Sequence, residues 1–184
     1  YVLVANGRMA DFSAYPRFGG ERHLPYIATS ADAAKGNYTH LVYDVRSLPS
    51  PTAYKDLDLT SVFLFIPQEW ASTSAYILTN DWEHGTFDLK TRTGMPIGQF
   101  NNGYQILNAR VGMRHPGCWM FEASRKKVYY WPREGETAET LVTSISKTQN
   151  LFNLVRTDGV DFSGLVLEGC MMTSGGSDVQ GCII

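Results

Sequence analysis

Glu168 and Asp178 are acids that could share a groove. Glu168 ends one expected strand, in "VDFSGLVLEG", and Asp178 opens the next, in "SDVQGCII". Two carboxylates held about 5–9.5 Å apart can cleave a glycosidic bond, one protonating the leaving oxygen and the other serving as base or nucleophile. The competing reading is that both acids cap turns at strand ends. A second cluster, "NDWEHG", brings Asp81, Trp82, Glu83 and His84 into one loop. Trp82 and His84 there could touch a ligand or a metal, or the loop could be a solvated hairpin tip. The third is "PGCWMFEASRKKVYYWPREGE", which carries Trp119, Phe121, Tyr129, Tyr130 and Trp131. Aromatic rings also pack against the C–H faces of sugars, so Trp119 and Trp131 are candidates for a binding platform. The simpler reading is a hairpin packed in a core.

Other chemistries find little footing. His23, His40, His84 and His115 match neither H-x-H nor H-E-x-x-H. Cys118, Cys170 and Cys182 have no zinc-ligand spacing and read as buried thiols, although Cys170 and Cys182 could bridge in an oxidising compartment. "TSGGSD" lacks the Lys and following helix of a phosphate loop, and no nucleophile elbow is visible. "NYT" at Asn37 fits the glycosylation triplet, a pattern that also occurs by chance. No resident metal or redox cofactor is expected.

The elements that must hold these residues are strands. Of 184 residues 43 % are apolar, enough for a core, and only 18 % are charged. With a net charge of −2 and no basic run longer than Arg125–Lys127, binding to nucleic acid by bulk electrostatics is not expected. No apolar run approaches the roughly 18 residues of a membrane-spanning helix. Helix signals are confined to "TSADAAKGN" and "SPTAYKDL", a turn or two each. Asn6-Gly7 supplies the positive φ angles of a two-residue hairpin turn. "HLVYDV", "VFLFI", "SAYILTND", "GTFDLKT" and "GYQILNARV" read as strands at a spacing typical of sandwiches and barrels. In the aromatic stretch, "WMFE" and "KVYYWP" flank the polar turn "ASRK". Alternation puts Trp119 and Phe121 on one face, and sets Tyr129 and Trp131 apart from Tyr130.

After Glu136 the pattern loosens. "VDFSGLVL" aligns over "SDVQGCII" at an offset of 17 residues, with Gly164 over Gly181 and Leu165 over Cys182. A short repeat with apolar residues in matching places is the signature of a parallel β-helix. The chain also starts inside a strand and stops on an apolar run, so a slice of a longer protein is expected.

Three segments, in order, resemble large bacterial right-handed parallel β-helix proteins that act on carbohydrates, among them glycoside hydrolase families 120 and 141. In "NARVGMRHPGCWMFEASRKKVYYWPREGE" the matching positions are Asn108, Pro116, Gly117, Trp119, Tyr129, Tyr130, Pro132 and Gly135. "VLVANGRMADFSAYPR" matches at Asn6, Gly7, Tyr15 and Pro16, and "VDFSGLVLEG" is similar to the first clear coil of those proteins. The departures are Cys118 for a Glu, Glu122 for an Asp, and Ala14 for an Arg.

The resemblance implies an all-β chain: a β-sandwich-like inserted module over residues 1–145, then the first one or two coils of a right-handed parallel β-helix over 146–184. It implies a piece of a polysaccharide-degrading glycoside hydrolase that forms one wall of the substrate groove and caps the helix end. The catalytic carboxylates of such proteins sit on later coils, so none is carried over to a residue here. Two alternatives share the scaffold: a polysaccharide lyase, which could use Ca²⁺, and a non-catalytic glycan-binding protein such as an adhesin or tailspike. The implied partners are a polysaccharide or oligosaccharide and the rest of the β-helix chain. The implied location is secreted, periplasmic or at the cell surface.

Overall fold

The computed structural model describes residues 2–17, 36–68, 71–99, 103–146, 150–156, 158–159, 161, 163–164 and 172–177. The chain is all-β. In order the strands are β1 (Leu3–Ala5), β2 (Arg8–Met9), β3 (Asp11–Phe12), β4 (Ala14–Tyr15), β5 (His40–Val42), β6 (Phe63–Gln68) and β7 (Ala71–Asp81). They continue as β8 (Thr86–Leu89), β9 (Gln105–Leu107), β10 (Cys118–Glu122), β11 (Lys127–Tyr130), β12 (Thr143–Ile145), β13 (Asn150–Val155) and β14 (Met172–Ser177). Among the described residues the only helical elements are 3₁₀ turns at Val45–Ser47, Arg110–Gly112 and Ala123–Arg125. The expected helical turn in "SPTAYKDL" is instead a pair of tight turns, closed by Ala53 N–H to Ser50 O and Lys55 N–H to Thr52 O at 3.1 Å each. Pro49 and Pro51 lack N–H donors for a helical ladder, and Tyr54 is drawn into the core. The expected helix near residue 30 and the 17-residue match lie wholly or largely outside the described residues.

Contacts divide the chain into two compact units: residues 1–11 with 134–184, and residues 12–133. The chain therefore leaves the first unit, builds the second, and returns. In the first unit, Asn6 (φ 49°) and Gly7 (φ 73°) form the expected hairpin turn between β1 and β2. β12 returns antiparallel to β1, with Leu3 opposite Ile145 and Ala5 opposite Thr143. The Asn6 side chain secures this return: its Oδ1 accepts from Val142 N–H at 2.9 Å, and its Nδ2 donates to Glu136 Oε1 at 3.4 Å. β13 and β14 pair in parallel, each partner 22 positions further along, from Asn150 with Met172 to Val155 with Ser177.

The second unit is built on a six-stranded antiparallel sheet of order β4-β9-β6-β7-β8-β5. Alternation buries one face of β6 (Leu64, Ile66), β7 (Ala75, Ile77) and β8 (Phe87, Leu89). Tyr43, Tyr54 and Tyr104 pack onto it from the connections. Tyr43 and Phe87 rings lie 4.6 Å apart, Tyr43 and Tyr54 5.2 Å, and the buried Tyr54 and Tyr104 hydroxyls hydrogen-bond at 3.3 Å. Burial, with Asp81 adding to it, pushes the Tyr43 phenol up to about 12. This core is the rigid base for what β9, β10 and β11 carry.

Candidate functional site

The site begins where the chain leaves β9. Asn108 sits in the left-handed region (φ 60°) and is 4 % exposed. Its amide acts as a clamp: Nδ2 donates to Ser61 O at 3.0 Å and to Phe121 O at 2.7 Å, and Oδ1 accepts from Phe121 N–H at 2.7 Å. The reversal it makes leads into the 3₁₀ turn Arg110–Gly112. A Cβ on Gly112 would lie 2.6 Å from Ala14 N, so only glycine lets this turn press against β4. With Ala109 buried behind it and Gly112 pinned below, Arg110 projects outward, followed by Met113 and the exposed Arg114.

β10 and β11 form the expected hairpin, with Trp119 opposite Tyr130, Met120 opposite Tyr129 and Phe121 opposite Val128. The ladder runs one step beyond β11: Trp131 N–H donates to Cys118 O at 2.9 Å, and Gly117 N–H to Trp131 O at 2.7 Å. Gly117 (φ 88°) has the Arg133 guanidinium where a Cβ would stand, and Arg133 Nη1 donates to Tyr130 Oη at 3.1 Å. Trp119 faces inward at 1 % exposure, edge-on to Phe12 at 5.0 Å. The Arg110 guanidinium lies 4.4 Å from the centre of the Tyr129 ring, and its Nη2 is 3.2 Å from Glu122 Oε2. Tyr129, Glu122, Arg110 and the exposed Trp131 (44 %) thus lie outside the core.

Three depressions meet at Arg110. One, of about 520 Å³, lies between Ser50 and Ala53 on one side and Arg110, Arg114 and Trp131 on the other. A second, of about 420 Å³, continues along Met113, Tyr129, Trp131 and Pro132. The third, of about 160 Å³, lies across Arg110 and holds Asp56, Asp58 and Glu122. Among the described residues the first two have no acid in their walls, and they share Arg110, Met113 and Trp131, so we treat them as one aromatic and cationic cleft.

Two of the nearby acids, Asp58 and Glu122, are engaged in holding the structure beside the cleft together. Burial pushes the Asp58 carboxyl up, but hydrogen bonds outweigh it and hold the group well below the usual carboxylate range. They come from the Thr60 hydroxyl (2.6 Å), Ser124 N–H (3.1 Å), the Ser61 hydroxyl (2.8 Å) and Thr60 N–H (3.2 Å). Asp58 thereby ties the turn before β6 to the tip of the β10–β11 hairpin. The Tyr129 hydroxyl, with Arg125 and Arg110, likewise holds Glu122 below its ordinary value. A general acid must be protonated at working pH, which calls for a raised pKa. Asp58 and Glu122 are shifted the other way and act as clamps.

Of the residues expected from the sequence to do chemistry, Trp131 lies in the cleft and Trp119 in the core, where its ring has no free face for a sugar. Trp82 is half-buried against the main core, with Lys55 Nζ 5.5 Å from its ring centre. His84 locks the β7–β8 turn: its N–H and Nδ1 meet the two oxygens of Asp81 at 3.1 and 2.8 Å. Gly85 (φ 72°) closes that turn, where a Cβ would lie 2.6 Å from Tyr43 O. Trp82 and His84 are not at the cleft formed by Arg110 and Trp131. Glu168 and Asp178 lie outside the described residues. Arg110, Arg114 and Tyr129 were not singled out from sequence. Only Tyr129 carried a signal, sharing a strand face with Trp131. Among the described residues no three His, Cys, Asp or Glu side chains gather as a metal site would require.

No family model and no curated protein matches the chain. A solved structure titled "Glycoside hydrolase" matches over 83 % of this chain with a TM-score of 0.52 at 19 % identity. The chain spans 27 % of that structure's length. At this identity the likeness is one of fold.

Proposed function

We propose that this chain is part of a carbohydrate-active protein and that the cleft between Arg110 and Trp131 holds a glycan. The observation that carries the proposal is Trp131. A large apolar ring stands 44 % exposed at the mouth of a cleft, beside Tyr129 and a stacked guanidinium. Sugars present apolar C–H faces rimmed by hydroxyls, and an aromatic wall edged with Arg donors matches both features. The likeness in fold to a glycoside hydrolase agrees with this reading.

In this reading residues 12–133 are a β-sandwich-like module inserted early in a right-handed parallel β-helix, and residues 134–184 start its coils. Two observations favour it. The module interrupts a unit to which the chain returns. The β13–β14 pair is parallel at a constant 22-residue step, and parallel neighbours in one sheet are joined by right-handed crossovers in about 98 % of cases. The module then forms a wall of the substrate groove in a polysaccharide-degrading enzyme that works outside the cytoplasm, with the catalytic carboxylates on later coils.

The test is binding of the protein to an array of plant and bacterial oligosaccharides, repeated with Trp131→Ala. Stacking on one ring contributes about 1 kcal/mol, so the variant should bind its best glycan about fivefold more weakly. Equal binding by the variant, or no glycan bound at all, would refute the assignment of the cleft.

A further inference from the structure

The charges around the cleft identify the kind of sugar it takes. The chain as a whole is slightly acidic, at −2, yet among the described residues the walls of the two joined depressions hold Arg110 and Arg114 and no carboxylate. The two arginines differ in how they are used. Arg110 is partly neutralised by Glu122 at 3.2 Å and lies over the Tyr129 ring, 4.4 Å from its centre. Arg114 has no acid partner among the described residues. Its only company there is the Tyr15 ring, whose centre is 5.2 Å from the guanidinium carbon.

The fold keeps Arg114 at this place. It follows directly on the turn that Gly112 seats against β4, and Met113 N–H closes that turn onto Arg110 O at 3.0 Å. Tyr15 belongs to β4, a strand of the central sheet. A face of Tyr15 therefore supports the guanidinium from the sheet side while its fork of donors remains exposed in the cleft wall. A neutral sugar offers the fork only single hydroxyls, whereas a carboxylate or sulfate offers paired oxygens and a charge. A supported, unpaired guanidinium near an apolar indole suits a ring that carries both an apolar face and a negative group.

We infer that the cleft selects an anionic sugar, a pyranose bearing a carboxylate or a sulfate, with Trp131 against its ring and the Arg114 fork on the anionic group. The inference rests on the glycan reading above and narrows it. Arg110, held between Tyr129 and Glu122, forms the fixed floor of the cleft, and Arg114 supplies the uncompensated charge.

The test uses the whole protein and matched pairs of ligands. The pairs are a uronic-acid tetrasaccharide with its methyl ester, and a sulfated tetrasaccharide with its desulfated form, titrated by calorimetry at low and moderate salt. The acidic member of at least one pair should bind ten times more tightly or better, with the gap narrowing as salt is raised. The carboxylate and sulfate pairs distinguish the two sources of charge. Arg114→Gln should remove that preference by weakening the acidic member about tenfold more than the neutral one, and near-UV circular dichroism should confirm an intact fold. Equal binding of both members of every pair would overturn the inference while leaving the glycan reading standing. Binding of neither member would overturn both. An Arg114→Gln protein that keeps the acidic preference would also overturn it.

Discussion

Replacing Asn108 by Ala removes the clamp on which the cleft depends, and the cost can be worked from its parts. Three side-chain hydrogen bonds are lost: to Ser61 O, to Phe121 O and from Phe121 N–H. Phe121 N–H and O each lose a partly buried hydrogen bond, at about 1–3 kcal/mol apiece. Ala at φ 60° adds about 1 kcal/mol of left-handed strain that Asn tolerates better. Together these give about 3–7 kcal/mol, a large share of the stability of a domain this size. Asn108→Gly separates the two contributions. Glycine loses the same hydrogen bonds but not the strain, so it should be about 1 kcal/mol less harmful than Ala. The assay is urea unfolding followed by tryptophan fluorescence, in which buried Trp119 reports on the hairpin that Asn108 holds. An Asn108→Ala cost below about 1 kcal/mol, or a Gly variant less stable than the Ala variant, would refute the clamp.

Gly112→Ala should cost about 1–3 kcal/mol, because a Cβ 2.6 Å from Ala14 N forces the turn off β4. It should also weaken glycan binding, since Arg110 and Arg114 move with that turn. Calorimetry beside thermal melting reads both effects. Tyr104→Phe leaves the Tyr54 hydroxyl buried without its partner at 3.3 Å, and should cost about 1–2 kcal/mol by urea unfolding. For Asp58 the folded pKa lies below the unfolded one. Its contribution is therefore present above about pH 4 and declines as pH falls from there toward the folded value. Asp58→Asn should flatten the acid limb of stability against pH, which melting scans at successive pH values would measure.

What was legible in the sequence was what local chemistry decides. Asn6-Gly7 can hardly be anything but a tight turn, and it is one. "VFLFI" and "GTFDLKT" read as strands, and β6 and β8 form there. The aromatic hairpin and its two faces followed from the period of two. Alternation separates faces but does not say which one meets the core, so Trp119 and Trp131 looked equivalent until Phe12 covered one of them. Arg110 and Arg114 were invisible because contacts distant in sequence place them: Gly112 against Ala14, Asn108 on Ser61, Asp58 on Ser124. The same holds for the two units. Nothing near Leu3 announces that Ile145 will pair with it. The residues that carried the family resemblance in the aromatic stretch are largely architectural here. Asn108 clamps, Gly117 admits Arg133, and Trp119 fills the core.

A structure of the protein with its best-binding oligosaccharide tests the central claim most directly. A sugar ring should lie against the exposed face of Trp131, with its polar groups toward Arg110 and Arg114. A glycan bound elsewhere on the protein, with the Trp131 face bare, would contradict it.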